Sequence, residues 1–274
     1  MVEVADEPGR FSVMRPHALH RCSHGPCEVK AMLKELAKKI VYGHKATSGS
    51  FVKYLRSLGM VIGEEVHFYA PMKCIIDTQH PWMIEIGNNV HITEGVTILT
   101  HGYDWSVLKG KYGDVLGSAG HVKIGNNVFV GMGATILKGV TVGNNVIIGA
   151  DSVVCHDIPD DSVVAGNPAR VIYSIEEYLH KRREAQLDEA CELYTYWRRN
   201  SADGKAGKEP PRELFREFFF LFESRDASQL SAEEFSHVLD LCGNRALSEK
   251  RLCEAPRQFE GYEAFLSYLK SNGA

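Results

Sequence analysis

The chain has 274 residues and a mass of 30.5 kDa, and 44% of its residues are hydrophobic and 24% charged. These proportions are typical of a folded globular protein and exclude wholesale disorder. The formal net charge of −4 and the pI of about 6.3 exclude a basic surface of the kind that binds nucleic acid or anionic membrane. No apolar run approaches the ~20 residues needed to span a bilayer, so membrane insertion is not expected.

Residues 1–60 are predicted to form a leader followed by a helical segment with amphipathic spacing. The leader lacks the basic-then-apolar order of a secretory signal peptide, so we expect a cytoplasmic protein. Five potential metal ligands cluster in it: His17, His20, Cys22, His24 and Cys27. No second ligand pair follows at zinc-finger spacing, so no metal is expected there. The chain's seven scattered cysteines do not indicate a disulfide framework.

From Ile62 the sequence repeats with a period of six. Aliphatic or aromatic residues recur at Ile62, Phe68, Cys74, Ile86, Ile92 and Ile98, and again at Ile124, Val130, Ile136, Val142, Ile148 and Val154. This period fits neither a helix nor a long alternating strand. It predicts a coil of very short strands with three hexapeptides per turn, so that residues 18 apart stack. An ordinary β-sandwich is the alternative, but its strands and turns would not keep a constant spacing of six residues.

Three corners of the predicted coil share the pattern of an aliphatic residue, glycine and two asparagines. They begin at Ile86, Ile124 and Val142. Glycine and asparagine tolerate the backbone conformations that a sharp corner requires. A small or β-branched residue often stands four places after the aliphatic position, as at Val90 and Ala134.

The repeat breaks once, and residues 102–121 are predicted to leave the coil as a long loop. Loops of this length in a compact domain are usually functional. His101 lies at its base, and histidine is the side chain best suited to take a proton near neutral pH. Asp104 and Trp105 follow as candidate acceptor-binding residues. A plain surface histidine is the alternative, since the coil holds others at His67, His91, His121 and His156.

Residues 173–274 are predicted to be a charged helical region. Composition indicates a linker at 201–211. The stretch 222–235 superficially resembles a calcium-binding loop, but it lacks the alternating acidic ligands and the central glycine. We therefore expect no calcium site there.

The run from Ile124 to Ile172 resembles the terminal coil of hexapeptide-repeat acyltransferases. The nearest branch contains galactoside, maltose, capsule and O-antigen O-acetyltransferases. Two further segments, HFYAPMKCIIDTQ from His67 and VTILTHGYDWSVL from Val96, resemble the same branch. The resemblance covers about residues 61–172. It implies a mainly β fold, a left-handed parallel β-helix with helical N- and C-terminal flanks. It also implies a homotrimer with active sites between coils, acetyl-CoA as acyl donor and no metal.

The resemblance also implies roles for individual residues. His101 matches the histidine that deprotonates the acceptor hydroxyl, which then attacks the thioester directly without an acyl-enzyme. Ala150 matches a small residue beside the pantetheine arm, and Arg170 matches an arginine near the nucleotide phosphates. Three further positions match cofactor contacts that carry other residues in the family: Met132, Cys155 and His156.

Two acceptor contacts and one departure complete the comparison with this branch. Tyr69 and Asp77 fall near positions that touch the acceptor sugar, and a carboxylate is a good partner for vicinal hydroxyls. Phe129 stands where the branch often has tryptophan. Phenylalanine keeps an apolar wall but loses an indole N–H that could stabilise an oxyanion.

The sequence thus predicts an acetyl-CoA-dependent O-acetyltransferase acting on a hydroxyl of a sugar or glycan, with His101 as general base. A zinc lyase of the carbonic-anhydrase kind is one alternative, but it needs three converging histidines, whereas His91, His101 and His121 are spread across the interruption. A non-catalytic trimeric assembly module with a partner-binding helical tail is another. Amine acetylation is a third, because His101 alone does not discriminate it.

Overall fold

The structure is a computed structural model that describes residues 40–223, 236, 238–241 and 243–272. Three sequence features lie outside these residues: the His/Cys cluster at 17–27, most of the first predicted helix and most of the calcium-like stretch. No helix within them is long and apolar enough to cross a membrane. The chain divides into two compact units, Met1–Gly43 and His44–Ala274, and the second is described below.

Helix α1, Ser48–Ser57, covers the first turn of the coil. It begins with a capping box in which the Thr47 and Ser50 side chains satisfy each other's backbone N–H groups. Phe51 is buried and meets Phe68 edge-on, with ring centroids 5.0 Å apart. The helical spacing predicted for this segment is confirmed.

The coil is built from fourteen short strands in three sheets. They are β1 Val61–Ile62, β2 Val66–Phe68, β3 Ile75–Ile76, β4 Ile84–Ile86, β5 Val90–Ile92, β6 Thr97–Ile98, β7 Val122–Ile124, β8 Val128–Val130, β9 Thr135–Ile136, β10 Thr141–Val142, β11 Val146–Ile148, β12 Val153–Val154, β13 Ser162–Ala165 and β14 Arg170–Ser174. Sheet A has the order β1-β4-β7-β10, sheet B β2-β5-β8-β11-β13-β14 and sheet C β3-β6-β9-β12. Every pair is parallel except β13 with β14. Successive strands pass from A to B to C, so the coil has a triangular section.

The register confirms the predicted stacking of residues 18 apart. Val142 pairs with Ile124, and Val154 pairs with Ile136. Small and β-branched positions such as Ala134 are buried beside the aliphatic ones. These side chains form one continuous core inside the coil.

Asparagine makes the corners between sheets A and B. Asn89, Asn127 and Asn145 have φ of 54°, 55° and 56°, in the left-handed region that asparagine tolerates better than most residues. Their side chains also form a ladder along the coil. The Asn89 amide donates to Asn127 at 2.9 Å, Asn127 donates to Asn145 at 2.9 Å, and Asn145 donates to Asp161 at 2.8 Å. Each corner is therefore tied to the next.

The prediction that Cys74 takes a core position of the repeat is wrong in register. Ile76, not Cys74, pairs with Ile98 in sheet C. A 3-10 turn at Pro71–Lys73 inserts extra residues before β3 and shifts the count. Cys74 is buried nonetheless, and its thiol donates to the Thr93 carbonyl at 3.3 Å.

The C-terminal region forms a second core of its own. Helix α2, Trp105–Tyr112, lies in the loop that leaves the coil. The helices of the C-terminal region are α3 Ile175–Asn200, α4 Ala202–Lys205, α5 Arg245–Glu254 and α6 Tyr262–Asn272. The aromatic residues of this region, including Phe215, Phe222 and Phe265, pack against one another in a buried cluster. Much of the aromatic content of the tail therefore serves its own folding.

The predicted linker at 201–211 is mostly exposed, but two of its residues, Gly204 and Pro210, are buried. Gly204 is buried in α4, where a Cβ would lie 2.6 Å from the Arg198 Cα. The Tyr262 hydroxyl donates to the Pro210 carbonyl at 2.9 Å. The polar, glycine-rich composition reflects a close approach of backbones rather than a flexible spacer.

Candidate active site at one corner of the coil

The corner after sheet C brings together residues distant in sequence. β3 ends just before Asp77, and β6 ends shortly before Thr100 and His101. Because Ile76 and Ile98 are paired, these three residues leave neighbouring strands at the same height. The backbone N–H of Asp77 donates to the Ile98 carbonyl at 3.0 Å, which fixes the start of the corner.

The Asp77 carboxylate is the hub of this corner. Its Oδ2 accepts from His101 Nδ1 at 2.5 Å, from the Thr100 hydroxyl at 2.5 Å and from the Thr100 backbone N–H at 2.9 Å. Its Oδ1 accepts from the Gln79 backbone N–H at 2.9 Å. The Asp77 side chain is 4% exposed and that of His101 is 18% exposed. The pair is thus largely removed from water, but the imidazole keeps some access.

The protonation state follows from these contacts. Burial raises the pKa of the Asp77 carboxyl, but the hydrogen bonds from Thr100, Gln79 and His101 outweigh burial and bring the pKa to about 2. The carboxylate is therefore ionised at neutral pH and can only accept hydrogen bonds. His101 Nδ1 must then carry a hydrogen, which leaves Nε2 as the nitrogen that can take a proton from another molecule.

Aromatic rings flank His101 on both sides. His80 lies edge-on to His101 with ring centroids 5.3 Å apart, and Trp82 lies 5.7 Å from His80. On the other side Tyr103 lies 5.4 Å from His101, and Trp105 lies 6.1 Å from Tyr103. Trp82 and Tyr103 are both about two-thirds exposed, at 66% and 62%. The imidazole thus lies in a row of rings that opens to solvent.

The loop at 102–121 leaves the coil as predicted and is closed at its base. The Gly102 N–H donates to Ser118 at 2.9 Å, and the Gly120 N–H donates to Thr100 at 2.8 Å. His101 itself forms an antiparallel bridge with Ala119. The residues on both sides of the imidazole are held by the returning chain, so the loop positions His101.

The two loop residues predicted to bind the acceptor lie at the start of helix α2. Trp105 begins α2 and joins the row of rings through Tyr103. Asp104 is exposed and lies just before α2, where its carboxylate makes no capping hydrogen bond. The acceptor roles of both residues stay predictions.

The predicted cofactor residues lie at two corners flanking sheet C. Met132 and Ala150 lie between sheets B and C on adjacent turns, and the Asp151 N–H donates to the Met132 carbonyl at 2.7 Å. Cys155 and His156 follow β12, on the same edge of sheet C as His101 but two strands away. With strands ~4.8 Å apart, that separation is about 10 Å.

Arg170 lies at the end of the coil. It begins β14, and its guanidinium donates to the Ala169 carbonyl at 2.9 Å. The Ala169 N–H donates to Val153 of β12 at 2.8 Å, which places this segment over the last strand of sheet C. Arg170 is exposed, so its charge faces solvent at one end of the sheet.

Tyr69 and Asp77, predicted to contact the acceptor together, lie at opposite ends of the first sheet C strand. The Tyr69 hydroxyl pairs with His91 Nδ1 at 2.9 Å on the sheet B side. Burial lowers the pKa of His91, and the nearby His67 lowers it further. Asp77 lies behind His101 with both carboxylate oxygens hydrogen-bonded. The acceptor contacts predicted for Tyr69 and Asp77 stay predictions.

Sequence reasoning overlooked Thr100 and His80. Thr100 is fully buried and supplies two of the donors to Asp77. In the sequence, Thr100 could have been found from its position between a core strand and His101. His80 could be found only through the register of β3, which the repeat did not reveal.

Comparisons with known proteins agree with this architecture. Residues 121–156 match the family model described as bacterial transferase hexapeptide (six repeats). Protein CapG of Staphylococcus aureus is 42% identical over 124 residues, which cover 45% of this chain and 71% of CapG. Serine acetyltransferase of Bacillus subtilis (strain 168) is 42% identical over 88 residues, 32% of this chain and 35% of that protein. Galactoside O-acetyltransferase of Escherichia coli (strain K12) is 37% identical over 119 residues, 42% of this chain and 57% of that protein.

The three sheets, parallel except where β13 meets β14, and the family match together confirm the left-handed parallel β-helix with helical flanks. The relatives include proteins named as acetyltransferases. The chain belongs to the hexapeptide-repeat transferase family, within its acyltransferase branch.

Proposed function

We propose that the protein transfers the acetyl group of acetyl-CoA to a hydroxyl of a sugar or glycan, with His101 as general base. The observation that carries the proposal is the hydrogen bond between His101 Nδ1 and the buried, ionised Asp77 carboxylate. It leaves Nε2 free to take a proton and places a negative charge where the imidazolium would form.

The reaction needs one proton relay. His101 Nε2 takes the proton of the acceptor hydroxyl as the oxygen attacks the thioester carbonyl. The tetrahedral intermediate collapses, the C–S bond breaks, and the imidazolium returns the proton to the CoA thiolate. Asp77 stabilises the imidazolium in between and stays ionised. No cysteine takes part in these reaction steps.

Sheet C offers a path for the donor. Arg170 provides a permanent cation at one end, suited to the nucleotide phosphates. Ala150 leaves room for a narrow pantetheine arm along the corner it shares with Met132. Acetyl as the transferred group is supported by relatives named serine acetyltransferase and galactoside O-acetyltransferase.

The proposed site is incomplete in one chain. Tyr69, Met132 and Ala150 lie at the corner between sheets B and C, whereas His101 lies at the corner between C and A. Met132 and Phe129 expose apolar side chains at or near the first corner. We propose a homotrimer in which that corner of one coil faces His101 of the next and covers this apolar surface.

The row of rings supports a ring-shaped acceptor. Trp82 and Tyr103 present exposed aromatic faces on either side of His101. An aromatic face packs well against the apolar face of a sugar ring, while the hydroxyls remain available to the base. The galactoside O-acetyltransferase relative is consistent with this class of acceptor.

The test is a screen of the full chain with acetyl-CoA and a panel of sugars, sugar nucleotides and amines, with products identified by mass spectrometry. We expect an O-acetylated sugar, no product with His101→Ala, and an unchanged trimer by light scattering for that variant. His121→Ala, which removes a histidine outside the site, is the matched control. Transfer retained by His101→Ala would overturn the role of the base, and an N-acetylated product would overturn the acceptor class. Failure to bind acetyl-CoA in calorimetry would overturn the whole proposal.

A further inference from the structure

Three potential metal ligands converge beside the loop. One ligand atom each from Asp77, His80 and His101 lies within 4.8 Å of the other two, and no other such group of three occurs among the residues that the structure describes. Asp77 is buried, and both histidines are partly buried. The histidines His91 and His121, considered from the sequence for a zinc lyase, are not members of this group.

An unpaired nitrogen in the cluster points independently to a missing ligand. His80 Nδ1 is buried and has no hydrogen-bond partner among the described residues. Leaving a buried polar atom without a partner destabilises the folded chain. The proposed proton transfer does not use His80. The reaction therefore does not explain why its Nδ1 is left unpaired.

The donor set suits a transition metal. Two imidazole nitrogens with a carboxylate oxygen are ligands typical of Zn²⁺ and its first-row neighbours. The carboxylate is already ionised, and the Thr100 hydroxyl would hold one of its oxygens in place as an outer-shell partner. Ligand atoms ~2.1 Å from a common zinc ion lie at most about 4.2 Å apart. The three ligand atoms lie within 4.8 Å of one another, close to this span, so side-chain rotation can bring them around one ion.

We propose that Asp77, His80 and His101 form an inhibitory site for a divalent transition metal such as Zn²⁺. A metal bound to His101 and Asp77 engages the two groups that the proton transfer needs. The ion therefore competes with acetyl transfer, and His80 is the residue that converts a catalytic pair into a metal site. The inhibition rests on the proposed function, whereas the binding does not.

Binding is tested by titrating Zn²⁺ into the metal-free full chain in a calorimeter. We expect the wild type to bind one equivalent of Zn²⁺ at this site. His80→Ala and His101→Ala should each lower the affinity for this ion at least tenfold, and the control His121→Ala should leave it unchanged. The cysteines and the N-terminal His/Cys cluster remain in every variant, so the difference between variants isolates this site. Co²⁺ difference spectra between wild type and His80→Ala should lack the thiolate charge-transfer bands that cysteine ligands produce. Circular dichroism checks folding, and Asp77→Asn provides a third ligand variant.

Inhibition is tested on the acetyl-transfer reaction. Zn²⁺ should inhibit the wild type, and His80→Ala should raise the half-inhibitory Zn²⁺ concentration at least tenfold. Zn²⁺ binding that is equal in wild type, His80→Ala and His101→Ala would overturn the site. Binding at the site without loss of transfer would overturn its inhibitory role. If the metal-free chain transfers no acetyl group, the proposed function fails, and calorimetry still decides the metal site.

Discussion

The contact between Asp77 and His101 gives the sharpest prediction. Asp77→Asn removes the charge but keeps the size of the side chain. When His101 takes a proton, the ionised carboxylate attracts a positive charge ~4 Å away, worth about 4 kcal/mol at an effective dielectric constant of about 20. At 1.36 kcal/mol per tenfold change in rate, this corresponds to a loss of roughly a thousandfold in kcat.

The same substitution should also destabilise the corner. The carboxylate accepts hydrogen bonds at both oxygens, from Gln79 at one and from Thr100 and His101 at the other. An asparagine must place its NH₂ group against one of these donors, which costs about 1–3 kcal/mol of unfolding free energy.

The assay measures steady-state acetyl transfer and urea unfolding for the same preparations. Asp114→Asn, the same chemical change at an exposed loop carboxylate, is the control and should affect neither. Transfer by Asp77→Asn within tenfold of wild type, in a folded protein, would refute the argument that Asp77 stabilises the imidazolium.

Three further measurements test other parts of the structure. Ile124→Ala, in the coil core, should lower the unfolding free energy by about 2–5 kcal/mol in urea, whereas Ile75→Ala on the exposed face of β3 should cost far less. Arg170→Ala should weaken acetyl-CoA binding about tenfold in calorimetry without loss of trimer; unchanged affinity would remove Arg170 from the donor site. Burial raises the pKa of Tyr262 to about 12, above its unfolded value of about 10, so its contribution to stability is intact below pH 10 and is lost as the pH rises towards 12. The unfolding free energy should therefore fall more steeply over this range in wild type than in Tyr262→Phe, and parallel curves would contradict the assignment.

The repeat was predictable wherever six residues make one side of the coil. From Ile124 to Val154 the period is unbroken, and the register confirms it. The predicted register failed at Cys74 because a 3-10 turn adds residues without adding a strand. A count of hydrophobic positions does not detect such a turn.

The partnership of Asp77 with His101 was beyond sequence reasoning for the same reason. It depends on β3 pairing with β6, and the turn before β3 concealed that register. The linker prediction at 201–211 failed differently. Composition cannot distinguish a glycine that allows flexibility from one that, like Gly204, allows two backbones to touch.

The closed base of the loop makes the stacking of the coil independent of the length and sequence of the loop. β6 and β9 remain paired although the loop lies between them, and hydrogen bonds from Gly102 and Gly120 seal its neck. Lengthening a loop costs little, about 0.6 kcal/mol for each doubling. Under the proposed function, acceptor preference can therefore diverge through changes in the loop tip while the scaffold and its base stay fixed. A graft of a foreign loop between these two glycines is a practical route to altered selectivity.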